Sequence, residues 1–314
     1  MAEYFSSRIA GIVGGGTMGT DIAAIFISAG WKVQIVEPLR DRWPGAMARV
    51  RQSADQLGAA PELRAMDRVE IIPTIDELPW AALGIVIECI PENLAMKQAL
   101  FARMEELAPA TLPVASNSSS FPISDISRGL QTRERMLGMH FFMPAHLVPA
   151  VEIIRGEATD PALCSHCSEL MRALGKVPVN VKKDIPGFLA NRLQHALARE
   201  AFAMIDAGLA SAEDVDAAVR FGFGLRYLAA GPVLQKDIAG LDIHFAAAST
   251  MYPSLANNTA PSAVLSDKVA QGKLGMKTGE GFYQWTPESA AKEKARYELA
   301  LLDALQLLKK DLPS

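Results

Sequence analysis

Residues 9–13 form a short apolar run rich in β-branched side chains and predict a strand. A helical period over 18–29 follows and closes at Gly30, and 32–36 returns to strand texture, so the chain opens on a βαβ unit. Strand-like runs recur at 69–72, 84–90, 113–116, 136–142, 150–154 and 177–181, with helical periods over 94–107 and 161–174 between them. The second of these helices has Asp160 as N-cap, Pro161 in its first turn and Gly175 just past its end. Short strands alternating with helices predict a mostly parallel sheet wrapped by helices.

After about Asp184 the strand-like runs stop, and Ala, Leu and Met recur at helical spacing. We therefore expect a sheet domain over 1–183 and an all-α domain over 184–314. A long first helix is expected over 187–207, with Leu189, Leu193, Leu197 and Met204 on one face. A closing helix starts at Thr286-Pro287 and carries Leu301, Leu305 and Leu308 on one stripe, and the Asn-, Pro-, Gly- and Lys-rich stretch 255–281 reads as a connection with short helical pieces.

Composition narrows the function classes. The 314 residues are 50% hydrophobic and 21% charged, with 31 Lys+Arg against 35 Asp+Glu for a net charge of −4. Such a balance gives no electrostatic case for nucleic acid or an anionic membrane. The longest apolar stretches, such as 83–90, which is broken by Glu88, are strand-sized and far too short for a bilayer span. Three cysteines are too few for a disulfide framework and suit a reducing compartment. No apolar signal core precedes the first strand, and the cytoplasm is the expected location.

Chemistry enters at Gly14-Gly15-Gly16-Thr17-Met18-Gly19, which satisfies G-x-G-x-x-G through Gly14, Gly16 and Gly19 between a strand and a helix. The second strand then ends in the acidic Glu37. This context predicts a Rossmann-type doubly wound sheet: Gly14 makes the tight turn, Gly16 lets a pyrophosphate approach the backbone, and Gly19 lets helix and strand pack. Glu37 would accept from ribose hydroxyls and repel a 2′-phosphate, which favours NAD, although Arg40 and Arg42 stand nearby.

A nicotinamide cofactor acting on an alcohol needs a base. His140 and Glu152 lie on two predicted strands that would bring them together, leaving one imidazole nitrogen backed by a carboxylate and the other free. From the residues alone His140 reads more readily as a structural strand histidine than as a base. Cys164-Ser165-His166-Cys167 spells C-x-x-C inside a helix, and with no second ligand pair it reads as core packing, so no metal is expected. His146, His195 and His244 have no obvious carboxylate companion.

The motifs then occur in a recognisable series. Gly14 to Gly19, Glu92-Asn93 with Lys97, the run Ser116 to Ser120, His140-Phe141-Phe142 with Pro144, Val151-Glu152, Asp184 with Pro186-Gly187-Phe188, Asn191-Arg192, and Lys277 to Tyr283 together resemble the 3-hydroxyacyl-CoA dehydrogenase family. The resemblance implies His140 as general base with Glu152 as its orienting partner, and Ser119 and Asn191 as hydrogen bonders to the substrate. Gly14, Gly16, Thr17, Met18, Gly19, Glu37, Glu92, Lys97 and Asn117 would line an NAD site. It further implies a small-molecule hydroxyacyl substrate, hydride transfer from an L-3-hydroxyacyl compound to give the 3-keto product, and a homodimer through the C-terminal domain.

Two departures bear on the substrate. The segment between Glu37 and Glu92 is shorter than in fatty-acyl members, and no lysine stands between Lys32 and Lys97, where those members carry a lysine-bearing helical hairpin toward CoA. Six arginines (Arg40, Arg42, Arg49, Arg51, Arg64 and Arg68) leave either a phosphate patch or a solvated helix open. Met143 replaces the Asn usual in the His-Phe-x-Pro stretch. The run Phe221 to Tyr227, followed by Gly231-Pro232, resembles gulonate and carnitine dehydrogenase-like branches, which implies Arg226 as the holder of a substrate carboxylate. An ion pair between domains or subunits is the other role open to Arg226. A CoA thioester and a compact free hydroxy acid thus stand level, and a non-catalytic NAD-binding protein of crystallin or scaffold type is the alternative of a different class.

Overall fold

The computed structural model describes residues 7–58, 60 and 66–312, and it divides into two compact units, the first ending at Asn191 and the second running Arg192–Lys310. Arg64 lies outside the described residues. In the first unit β1 (Ile9–Val13), α1 (Thr17–Ser28) and β2 (Lys32–Val36) make the opening βαβ. Then come α2 (Trp43–Gln56), β3 (Val69–Ile72), β4 (Ile85–Glu88), α3 (Leu94–Leu107), β5 (Val114–Ser116) and the short α4 (Ile123–Ile126). β6 (Met136–Phe141), β7 (Ala150–Ile154), α5 (Pro161–Ala173) and β8 (Val177–Val181) complete it.

The eight strands form one sheet in the order β3-β2-β1-β4-β5-β6-β7-β8. All neighbours run parallel except β6 and β7, which are antiparallel. Helices cover both faces, so β4 and β6 are buried along their whole length and read as near-continuous apolar runs, interrupted at Glu88 and His140, rather than alternating ones. Asp160 caps α5 by accepting from the Ala162 N–H, and Gly30 and Gly175 take the positive φ that ends α1 and α5. The sheet and its helical wrap are those the sequence pattern predicts, with strand ends shifted by a residue or two.

One boundary is corrected. The helix expected from Gly187 begins only at Ala190, because Gly187 and Phe188 both adopt the left-handed region, with φ 75° and 48°. For Phe188 that conformation costs about 1–3 kcal/mol. Its ring is nevertheless buried.

The second unit is helical, as expected: α6 (Ala190–Asp206) leads into α7 (Ala212–Ala217), a π turn over Ala218–Phe223 and a 3₁₀ turn over Gly224–Leu228. α8 (Pro232–Ala239), α9 (Leu241–Met251), α10 (Ala263–Ala270) and α11 (Pro287–Leu308) follow. Thr286 and Ser289 form a capping box at the start of α11. Among the described residues none of these helices contains a fully buried side chain.

Candidate active site

The strand order reverses between β1 and β4, and in doubly wound sheets ligands bind outside the carboxyl ends of the strands at that point. Gly14 leaves β1 with φ 117°, and a Cβ there would come within 2.7 Å of the Cys89 carbonyl oxygen beyond β4. A Cβ on Gly19 would lie 1.9 Å from the Gly14 carbonyl, so only glycine closes this turn onto α1. Gly16 meets nothing within 4 Å, which leaves the N-terminal turn of α1, with Thr17 and Met18, open to an anion. Glu37 is buried against Gly15 and accepts from the Leu39 N–H at 3.0 Å, at the position where a ribose would be read. The cradle therefore fits a dinucleotide.

The acidic and basic residues around the next two strand ends form one connected set. Lys97 is buried, and its ammonium donates to Glu88 Oε1 at 2.6 Å and to the Ile90 carbonyl at 3.2 Å, with Glu92 Oε2 at 3.4 Å. Ser116 donates to the other oxygen of Glu88 at 2.6 Å. Glu92 accepts from the Ser118 hydroxyl at 2.7 Å and from the N–H groups of Ser119 and Ser120 at 3.1 and 2.9 Å. Burial pushes the Glu92 carboxyl up, but the Ser118 hydrogen bond and the Lys97 charge outweigh it and hold the group below the ordinary carboxylate value. Glu88 and Ser118 were not singled out from the sequence; a glutamate inside an otherwise apolar strand was the available signal.

β6 and β7 place His140 directly opposite Glu152. Nδ1 of His140 lies 2.7 Å from Oε2 of Glu152, and both residues are buried. The other carboxylate oxygen accepts the N–H groups of Leu189 and Ala190 at 3.0 and 2.8 Å, which the left-handed Gly187-Phe188 pair aims at it. Desolvation pushes Glu152 up; the hydrogen bond to His140, those from Ala190 and Leu189, and the imidazole charge together hold it below the ordinary value. An ionised carboxylate only accepts, so in the neutral form of the ring Nδ1 carries the proton and Nε2 keeps its lone pair. The imidazole is flanked by Phe142, edge to face at 4.7 Å, and by Phe188 at 5.8 Å.

Asn191 follows Ala190 and donates from its amide to the Ser119 carbonyl at 3.1 Å, so these two residues meet beside Glu92. Asn117 accepts the Phe141 N–H at 2.8 Å and ties the end of β5 to that of β6. Met143 is 67% exposed. Arg226 sits in the second unit on an exposed 3₁₀ turn, with no ion pair among the described residues. His146 is a correction: its Nδ1 lies 3.2 Å from Asp21, a carboxylate partner more than a hundred residues away in the chain. Cys164 and Cys167 are buried within α5, where burial pushes the Cys164 thiol up to about 11. Among the described residues no group of three or more His, Cys, Asp or Glu side chains is arranged to hold a metal ion.

A dinucleotide cradle at the sheet's reversal point and a carboxylate-backed imidazole on neighbouring strand ends define an NAD-dependent oxidoreductase. The chain belongs to the 3-hydroxyacyl-CoA dehydrogenase family: residues 9–185 match its NAD binding domain and 187–285 its C-terminal domain. Members of this family act on CoA esters or on free hydroxy acids. The chain is 33% identical over 304 residues to the 5-formyl-3-hydroxy-2-methylpyridine 4-carboxylate 5-dehydrogenase of Mesorhizobium japonicum, covering 95% of this chain and 97% of that one. A solved 5-formyl-3-hydroxy-2-methylpyridine 4-carboxylic acid 5-dehydrogenase, described as an NAD⁺-dependent dismutase, superposes with a TM-score of 0.91 at 32% identity, over 96% of this chain and 99% of that one. The (S)-3-hydroxybutyryl-CoA dehydrogenase of Ralstonia eutropha gives 0.73 at 32% identity, over 89% and 99%.

Proposed function

We propose that this NAD-dependent dehydrogenase oxidises a compact, carboxylate-bearing substrate rather than a CoA thioester. The observation that carries the reading is the fate of the arginines between β2 and β3. Arg49 binds Asp21 through two nitrogens at 2.9 and 3.1 Å, Arg68 donates to the Gly30 carbonyl at 3.1 Å, and Arg40 lies over the Trp43 ring at 4.9 Å. Three of the cations available for a CoA phosphate are thus engaged in the unit's own structure. Likeness over nearly the full chain to the pyridine-carboxylate enzyme supports the same reading.

When bound, NAD supplies the hydride acceptor. Glu37 holds the adenosine ribose and the Gly14-to-Gly19 turn with Thr17 and Met18 the pyrophosphate, while Asn117 and Glu92, the latter steadied by Lys97, line the nicotinamide end. His140 takes the hydroxyl proton at Nε2, and Glu152 stabilises the imidazolium that forms. Ser119 and Asn191 hydrogen-bond to the substrate oxygen. Arg226 pairs with the substrate carboxylate, for which its planar fork is suited.

A second copy of the chain is the partner for the exposed apolar side chains of α8 and α9, among them Val233, Ile238 and Phe245, each about three-quarters exposed. With three free cysteines and, among the described residues, no helix long and apolar enough to cross a membrane, we assign the enzyme to the cytoplasm. The test is NADH formation with L-3-hydroxybutyryl-CoA against a panel of small hydroxy acids, including carnitine, gulonate and hydroxymethyl pyridine carboxylates. Turnover on a free acid with little on the thioester is expected; strong thioester turnover alone would overturn the reading.

A further inference from the structure

Away from the dyad, the first unit buries a second set of charges that the chemistry above leaves unused. Lys176, between α5 and β8, is 4% exposed. Its ammonium donates to the carbonyl oxygens of Ala145, His146 and Val148 at 2.7, 3.0 and 3.0 Å. The charged group acting on it is Asp21, fully buried on α1. Asp21 in turn binds Arg49 of α2, accepts from the Ser53 hydroxyl at 3.0 Å and from the Ala145 N–H at 3.3 Å, and lies at ion-pair distance from His146. His146 Nε2 is 2.5 Å from the Gln56 side-chain oxygen. Burial pushes the Lys176 ammonium down to about 7, against the attraction of Asp21.

These contacts converge on residues 142–149, the connection between β6 and β7. Those two strands carry His140 and Glu152, whose 2.7 Å contact depends on their register. A connection of this kind is ordinarily among the least ordered parts of a fold. Here one ammonium satisfies three of its carbonyls, and a carboxylate on the helix that opens the dinucleotide cradle holds one of its N–H groups. An ammonium has three donors and no acceptor, and its charge-assisted bonds are about twice as strong as neutral ones.

We propose that Lys176 is a positioning residue for the dehydrogenase reaction: by fixing the connection at 145–148 it holds β6 and β7 in the register that sets the His140–Glu152 contact, while Asp21 ties the same connection to α1. This rests on the dyad assignment above, so Lys176→Met is compared with His140→Ala as well as with the parent enzyme. The measurements are kcat, KM for the alcohol, NAD affinity by fluorescence titration, the pH profile of kcat and the thermal melt.

A misplacement of reacting groups by about 1 Å lowers rates by about 100-fold. Lys176→Met should therefore lose about 10-fold or more in kcat, keep its NAD affinity, and show a displaced acid limb of the kcat profile, because the carboxylate supports the imidazolium less well. A lowered melting temperature with kcat and pH profile unchanged would make Lys176 merely structural and overturn the proposal. If Lys176→Met fails to fold, Lys176→Gln, which keeps two N–H donors without the charge, is read in the same way, and a parent-like kcat and profile overturn the proposal there too. Full turnover in His140→Ala would instead remove the dyad assignment itself.

Discussion

The two units treat their apolar side chains differently. In the first, helices on both faces of the sheet close a core whose buried apolar members all lie at or before Phe188. In the second, the helices have apolar positions at regular spacing, yet Leu193, Val233, Ile238 and Phe245 are all more than half exposed. A helical stripe in a sequence therefore states that a face is to be covered, and not by what. The first unit is finished within its own chain and holds the cofactor cradle and the dyad. The second leaves its apolar faces uncovered, and these are what the proposed second copy would cover.

The largest expected effect falls on the finished unit. His140→Ala should lower kcat by about 10³-fold, within the range for loss of a general base, while NAD affinity and association state stay at their parent values. Titration with NAD and light scattering check both, and retained turnover would break the assignment of chemistry to the first unit. Glu152→Gln should cost less, about 10²-fold, because Nε2 remains while support of the imidazolium is lost. If the glutamine variant lost more than the alanine variant at His140, Glu152 would act by more than orienting the ring.

Much of the first unit was legible because its signals are local. The sequence pattern predicts each of the eight strands, and the G-x-G-x-x-G run with Glu37 lies within one βαβ unit. His140 and Glu152 stand twelve residues apart on consecutive strands, so adjacency in the sheet alone brings them together. The cluster around Asp21 was not legible, since Asp21, Gln56, His146 and Lys176 come from two helices and two connections far apart in the chain. An aspartate opening the apolar run of α1 was its one local sign. The late start of α6 was hidden for another reason: Gly187-Phe188 continues the apolar pattern while its backbone turns left-handed to serve Glu152.

The unfinished unit supplies the next effect. Ile238→Asp combined with Phe245→Asp places charge on α8 and α9, where both parent side chains are about three-quarters exposed. The mass in solution should fall from two copies to one, with the dissociation constant raised at least about tenfold, and NAD affinity should persist. A parent already of one-copy mass would overturn the proposed pairing, and a two-copy mass unchanged by the substitutions would place it on a different face.

Acid titration separates the units again. Asp21, Glu92 and Glu152 of the first unit are held below ordinary carboxylate values through partly or fully buried contacts. A depressed carboxylate contributes stability that is complete above its unfolded value, 3.8 for aspartate and 4.5 for glutamate, and is lost as pH falls through the lower folded value. The first unit should therefore weaken progressively below about pH 4.5 with little dependence on salt. Glu280, Glu288 and Glu293 of the second unit are also lowered, but Glu288 is exposed and Glu280 and Glu293 are only half-buried, so their contribution is screened. Denaturant midpoints against pH at low and high salt read the contrast. A strong salt dependence in the first transition would place its acid sensitivity at the surface.

The smallest effect compares two helix caps. Asp160 caps α5, which buries Leu163, Cys164, Cys167, Leu170 and Met171 against the sheet, so loss of the cap must be transmitted to the whole unit. Asp160→Ala should cost about 1 kcal/mol of global stability. Thr286 makes the equivalent bond to the Ser289 N–H, but α11 has no buried side chain within its own chain. Thr286→Ala should then fray the first turn, visible as faster hydrogen exchange near Ser289 and Ala290, with a smaller change in the denaturant midpoint. Equal midpoint losses from the two caps would mean that α11 melts cooperatively with a packed core. That would place the completing contacts of the second unit at this helix as well as at α8 and α9.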